Sequence, residues 1–71
     1  MNSHVKRWIN SIVAHYPIGH EFFASTVREQ LVAERGTTFV ADSSAIGWYL
    51  NRMDNVISKG GERSRRIYVR V

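Results

Sequence analysis

The sequence contains no cysteine, a single proline and no long apolar run. Without cysteine the chain can form neither disulfides nor a Cys-ligated zinc site, two devices that commonly stabilise small secreted domains. No segment approaches the roughly 18 apolar residues of a membrane span, and the N-terminus lacks the apolar core of a signal peptide. We therefore expect a soluble intracellular protein, in the cytoplasm or nucleoid or, if its source is a virus, in the host nucleus.

Acidic residues are scarce near the C-terminus, where the chain is strongly basic. Residues 1–58 hold five Lys or Arg and five Asp or Glu, whereas residues 59–71 hold five Lys or Arg and only Glu62. The net charge of +4 therefore comes entirely from the last thirteen residues. This concentration of cations indicates a surface that meets a polyanion. The alternative is a solubilising cluster on an edge hairpin, where Lys and Arg also deter aggregation.

The length and composition indicate one globular domain. Seventy-one residues suffice for a single domain covering 1–71. The sequence is 44% hydrophobic and 23% charged, which is the balance of a folded chain and not of a disordered one.

Apolar periodicity predicts two helices in the first half of the chain. A stripe at helical spacing runs from Val5 to Tyr16, with Asn2 or Ser3 as N-cap and Pro17 as terminator. After a short strand within residues 20–24, Ser25 or Thr26 is expected to cap a second helix. Thr26 and Glu29 have the spacing of a capping box, Val27 and Leu31 face the core, and Gly36 ends this helix.

A third helix is predicted from Asp42 or Ser43 to about Asp54. Phe39 and Val40, which precede it, are expected to pack inward. One face of this helix is apolar, and the opposite face is predicted to carry Ser44, Trp48, Asn51, Arg52 and Asn55. Gly47 in the middle of the helix costs roughly 1 kcal/mol relative to Ala, and it permits close approach of a backbone or a neighbouring helix.

The remaining residues predict a β-hairpin. Val56 to Lys59 form the first strand, Gly60-Gly61 is a turn signal that opens a loop from Gly60 to Arg65, and residues 66–71 alternate. Ile67, Val69 and Val71 fall on one face of the second strand, and Arg66, Tyr68 and Arg70 fall on the other.

The order helix, short strand, helix, helix, hairpin resembles that of a winged-helix domain over essentially the whole chain. The resemblance rests on Phe22-Phe23 before the second helix, the capped third helix, and Val56-Ile57 leading into a basic hairpin that ends in Ile67-Tyr68-Val69. It implies an α+β fold of three helices, a short strand and a C-terminal two-stranded wing. The connection from Gly36 to Asp42 departs from the pattern, because a tight helix-turn-helix uses three or four residues.

The resemblance also implies a DNA-binding surface made of two elements. The third helix lies in the major groove, and the hairpin follows the backbone or the minor groove. The residues placed on DNA in this way are Ser43, Ser44, Trp48, Asn51 and Arg52 on the helix, and Lys59, Arg63, Arg65 and Arg66 on the wing. Asn51 and Arg52 are of the types that pair with adenine and guanine edges, although each is also ordinary for a solvated helix surface.

Trp48 leaves three interpretations open, because a large aromatic is unusual in the middle of a polar helix face. It can contact DNA, it can be buried in a dimer or partner interface, or a tilt of the helix can hide it in the core.

We expect neither an enzyme nor a metalloprotein. Of the three histidines, His4, His15 and His20, the last two flank a Pro/Gly turn and do not share a helix face, and no cysteine or paired carboxylate joins the set. No nucleophile–base arrangement and no phosphate-binding loop after a strand is present in the sequence, so no cofactor or small-molecule substrate is expected.

The leading hypothesis is a double-stranded DNA-binding protein, a transcriptional regulator of a microbe, virus or plasmid. A homodimer is a further expectation, because one small domain covers a limited footprint and two half-sites extend it. The alternatives are a winged-helix module that docks on a protein partner through the Trp48 face, and an RNA-binding protein.

Overall fold

The computed structural model describes residues 1–36, 41–62 and 65–71. They form α1 (Ser3–His15), β1 (Glu21–Phe22), α2 (Ala24–Arg35), α3 (Ser43–Leu50), β2 (Val56–Glu62) and β3 (Arg65–Arg70). The three strands pair antiparallel in the order β1-β3-β2. This is the predicted α+β arrangement of three helices, a short strand and a C-terminal hairpin.

The predictions for Phe39, Val40 and Arg63 lie outside the described residues. No helix in the described ranges is long and apolar enough to cross a membrane.

The three helices bury the faces that their periodicity predicted. In α1 the Asn2 side chain accepts a hydrogen bond from the His4 amide at 2.7 Å, which confirms Asn2 as the N-cap. The fully buried side chains of the core come from all three helices, and among them are Ile9, Val27, Leu31, Ile46 and Leu50. The helices are stabilised mainly by packing of these amphipathic faces against one another, because intrinsic helix propensity contributes little in helices of this length.

The predicted start of α2 is wrong. The helix begins at Ala24 with Phe23 as its N-cap residue, and no side chain caps it, so Ser25 and Thr26 lie inside the first turn. The capping box of Thr26 and Glu29 is therefore absent. β1 ends at Phe22 and α2 begins at Ala24, so Phe23 is the one residue between them and takes the N-cap position. The predicted terminator is confirmed, since Gly36 ends the helix with φ of 80°.

The predicted end of α3 is also wrong. Asp42 caps the helix as expected, its carboxylate accepting from the Ala45 amide at 2.8 Å. The helix ends at Leu50, where tighter turns follow, and the Met53 amide donates to the Leu50 carbonyl at 3.2 Å. Met53 still packs against the core, so the apolar periodicity continues past the helical hydrogen bonds. The chain must reverse here to reach β2 at Val56.

The hairpin does not turn at Gly60-Gly61, contrary to the prediction. Gly60 pairs with Ile67 and Gly61 with Arg66, and β2 continues to Glu62, which pairs with Arg65. The register shifts between Ser58 and Gly60, so the glycines follow a β-bulge. Gly61 has φ of 102°, and a Cβ there would lie 2.5 Å from the Arg65 carbonyl oxygen. The two glycines that predicted a turn therefore provide the positive φ angles of a distorted strand.

The sheet packs on the helices through the face that carries Tyr68. Tyr68 pairs in register with Phe22 of β1 and Ser58 of β2, and it is only 4% exposed. Its hydroxyl donates to the Gly47 carbonyl of α3 at 3.2 Å. The outer face of the sheet carries Ile57, half exposed, opposite Val69. The predicted alternation along β3 is thus confirmed, and the aromatic face is the buried one.

Gly47 is required by the approach of Tyr68. A Cβ at this position would lie 3.0 Å from the Tyr68 hydroxyl oxygen and 3.7 Å from the Ala24 Cβ. The tightest contact is thus with a side chain of β3, and the predicted approach of a neighbouring helix is also present, since Ala24 belongs to α2.

We expect Gly47→Ala to destabilise the fold. Crowding against Tyr68 costs about 1–3 kcal/mol, which outweighs the roughly 1 kcal/mol that Ala gains in a helix. Tyr68→Phe alone should cost about 0.5–1.5 kcal/mol through the lost hydrogen bond. In the Tyr68→Phe background the hydroxyl is gone, so Gly47→Ala should become neutral or stabilising. Urea unfolding of the parent, the two single variants and the double variant measures this double-mutant cycle. Stabilisation by Gly47→Ala in the parent chain would show that Tyr68 does not crowd this position.

Candidate nucleic-acid interface

A groove of about 670 Å³ lies between the start of α2, one face of α3 and the beginning of β3. We call it the wing groove. Its lining residues are Phe23, Ala24, Ser25, Ser43, Ser44, Gly47, Trp48, Asn51, Arg65, Arg66 and Tyr68. Six of the nine residues that the sequence placed on DNA lie here, namely Ser43, Ser44, Trp48, Asn51, Arg65 and Arg66.

Two helices begin at the wing groove. Ala24 and Ser25 are the first residues of α2, and Ser43 and Ser44 are the first of α3. The first backbone N–H groups of a helix have no partner within the helix, and the helix dipole makes this end positive. At the start of α3 the Ala45 amide donates a hydrogen bond to the Asp42 carboxylate, whereas no side chain caps α2. The groove therefore combines serine hydroxyl groups with the positive end of α2, which no side chain caps.

Arg65 and Arg66 add two full positive charges to the same groove. Both side chains are exposed, and the Arg65 guanidinium carbon lies 5.6 Å from the centroid of the Phe23 ring. This contact places the Arg65 charge beside the start of α2. None of the described residues that line the groove is acidic. An anion in the groove would meet cations and donors on several sides, and its oxygens suit the planar fork of arginine.

Trp48 forms one wall of the wing groove and is 62% exposed. The exposure excludes the interpretation that the helix is tilted to hide Trp48 in the core. The Arg52 guanidinium carbon lies 3.8 Å from the centroid of the Trp48 ring, so the cation stacks on one face of the indole. The remaining two interpretations, contact with DNA and contact with a protein, both need the exposed ring that the structure shows.

Lys59 lies apart from the wing groove. Its ammonium group is 2.6 Å from a carboxylate oxygen of Glu21, and both side chains are about half exposed. Arg70 of β3 also lies outside the groove lining, and its Nε donates to the Val13 carbonyl of α1 at 3.1 Å. The Lys59 ion pair therefore joins β2 to β1 within the sheet, and Arg70 joins β3 to α1, so neither charge is collected with those of Arg65 and Arg66.

Several lining residues were not predicted from the sequence. Ser25 was assigned to a cap and Phe23 to a strand, and neither assignment indicates a groove. Gly47 and Tyr68 form the inner end of the groove, where the Tyr68 hydroxyl meets the Gly47 carbonyl. The mid-helix glycine was the one signal in the sequence that pointed to a close approach at this place.

The three histidines have separate neighbours. The His4 ring lies near Trp8, the His15 Nδ1 is 2.7 Å from the Ser11 carbonyl oxygen, and the His20 ring packs on Tyr16 with centroids 4.5 Å apart.

Comparison with known proteins found no match. No protein-family model matches the chain, and no curated protein and no solved structure does so either. The function must therefore be argued from the geometry and charge of the surface.

We expect Trp48→Ala to leave the stability of the fold nearly unchanged. The side chain is mostly exposed, and the stack with Arg52 contributes about 0.5–1 kcal/mol. Leu50→Ala, two residues away on the buried face, should cost about 2–5 kcal/mol and serves as the comparison. Urea unfolding measures both variants, and equal losses for the two would mean that Trp48 belongs to the core.

Proposed function

We propose that the chain binds double-stranded DNA as a winged-helix protein, with α3 in the major groove and the wing on the backbone or minor groove. The observation that carries the proposal is the wing groove, in which Arg65 and Arg66 stand beside the starts of two helices with no acidic lining residue among those described. A transcriptional regulator is the role that such a small DNA-binding domain suits.

Phosphate groups match the chemistry of the wing groove. Arginine binds phosphate oxygens in pairs, and backbone amides and hydroxyl groups at helix starts bind them as well. Contacts of this kind position a protein on a duplex without reading its sequence. The groove therefore accounts for affinity, while base recognition requires side chains that reach past the phosphates.

Side chains on α3, and that of Asn51 directly after its last residue, supply the groups for base contact. Ser44, Trp48 and Asn51 are exposed on the face that borders the wing groove. Asn51 has the amide pair that matches adenine, and the indole ring of Trp48 offers apolar surface to a thymine methyl group. These roles follow from the residue types and from their exposure next to a phosphate-binding surface.

A second candidate function is docking on a protein partner through Trp48. An exposed tryptophan is typical of the residues that contribute most to protein interfaces. The surrounding charge favours DNA, because the centre of a protein interface is usually depleted of charge, whereas Trp48 lies beside Arg52 and near Arg65 and Arg66.

We expect the chain to bind a fluorescein-labelled mixed-sequence duplex with an affinity that falls steeply with salt. Each phosphate contact contributes about 0.9 to the slope of log affinity against log salt concentration. Arg65→Gln/Arg66→Gln should therefore reduce the slope by about 1.8 and weaken binding strongly at low salt. Fluorescence anisotropy between about 50 and 200 mM salt measures the change.

The matched control is Arg7→Gln/Arg35→Gln, which removes the same charge. Arg7 and Arg35 line a different groove, between α1 and α2, that shares no lining residue with the wing groove. If the control lowers the slope as much as the wing variant, binding follows net charge and the proposed surface is wrong. Absence of any duplex binding by the parent chain would favour protein docking, and tighter binding to RNA duplex than to DNA would favour the RNA alternative.

A further inference from the structure

Trp48 separates the wing groove from a second, smaller groove. This second groove, of about 290 Å³, lies between the beginning of α1 and the exposed side of α3, and we call it the α1–α3 groove. Its lining residues are Met1, Lys6, Ala45, Trp48, Tyr49 and Arg52. None of them is acidic, and two are cations, although neither cation belongs to the basic C-terminal segment.

Both cations of the α1–α3 groove are held against aromatic rings. The Arg52 guanidinium carbon lies 3.8 Å from the Trp48 ring centroid, and the Lys6 ammonium lies 5.9 Å from the Tyr49 ring centroid. The Tyr49 hydroxyl donates to the Asn10 side-chain oxygen at 2.8 Å, which joins α3 to α1. The side chains of Lys6 and Arg52 remain exposed, so their charges face solvent beside these aromatic rings.

The exposed face of α3 is therefore a ridge with cations on both sides. Arg65 and Arg66 lie on the wing-groove side of Trp48, and Lys6 and Arg52 lie on the other side. A duplex presents two phosphate backbones, one along each edge of a major groove that is about 12 Å wide. A single strand has one backbone and cannot engage both rows across the ridge.

We propose that the α1–α3 groove binds phosphodiester groups of the DNA strand opposite to the one held by the wing groove. Lys6 and Arg52 make these contacts, and the Trp48 ridge lies in the major groove between the two backbones. The inference rests on the proposed function and extends it, since it assigns a second phosphate site and predicts tighter binding to duplex than to single strands. Lys6, which the charge count placed in the balanced part of the chain, thereby becomes a DNA contact.

The test is the salt dependence of duplex binding by Lys6→Gln/Arg52→Gln. Loss of two phosphate contacts should lower the slope by about 1.8, so that between about 50 and 200 mM salt the parent loses roughly tenfold more affinity than the variant. The affinity of the variant for one labelled single strand of the same duplex should fall much less than its affinity for the duplex. The ratio of duplex affinity to single-strand affinity is therefore smaller for the variant than for the parent. The charge-conserving Lys6→Arg/Arg52→Lys variant should keep the parent slope.

The control for net charge is again Arg7→Gln/Arg35→Gln, in which Arg7 neighbours Lys6 on α1 but lines the separate α1–α2 groove. An unchanged slope for Lys6→Gln/Arg52→Gln, together with a reduced slope for Arg65→Gln/Arg66→Gln, overturns the second site and leaves the proposed function standing. An equal decrease in binding to duplex and to single strand overturns the assignment to the opposite backbone. If the parent chain does not bind the duplex, the proposed function fails and this inference fails with it.

Discussion

The contact between Tyr68 and Gly47 is the constraint on which the arrangement of the surface depends. Tyr68 is on the central strand of the sheet, in register with Phe22 and Ser58, and its hydroxyl donates to the Gly47 carbonyl. One side chain thus ties all three strands to α3. Because Gly47 has no side chain, the sheet approaches closely enough to close the inner end of the wing groove, and Arg65 and Arg66 follow on the same strand.

Local charge, and not net charge, distinguishes the proposed DNA surface. The sequence concentrates its excess of cations in the last thirteen residues. In the fold, the Lys59 ammonium is paired with Glu21 of the same sheet, and the Arg70 guanidinium donates to the Val13 carbonyl of α1. The cations that line the two grooves come from both parts of the chain, since Arg65 and Arg66 belong to the C-terminal segment and Lys6 and Arg52 do not. A charge count along the sequence therefore does not identify which cations line a groove.

Trp48 acquires a definite place between these cations. Its exposure removes the interpretation that a tilted helix buries it, and the Arg52 stack fixes a positive charge against one face of the ring. An aromatic ridge between cations is suited to a polyanion that also has apolar surface, and the edges of stacked base pairs provide such surface. A protein partner would have to supply acidic groups on both sides of the indole to fit equally well.

The sequence by itself determined the features that arise from neighbouring residues. Helical periodicity predicted the buried faces of α1 and α3, and the side chains of Asn2 and Asp42 cap these helices because a cap needs only the next turn. The element order and the fold class follow from the same local patterns. The start of α2 was predicted wrongly because Ser25 and Thr26 have capping chemistry, while the preceding strand decides where the helix begins.

Only the tertiary structure decided the features that join distant residues. Gly60-Gly61 is compatible with a turn or with a bulged strand, and pairing with Ile67 and Arg66 selects the strand. The exposure of Trp48 depends on how α3 sits against α1 and the sheet. Both grooves collect side chains from segments far apart in the chain, since Lys6 meets Arg52 and Phe23 meets Arg65. Proximity of this kind is a consequence of packing, and no periodicity or local motif in the sequence encodes it.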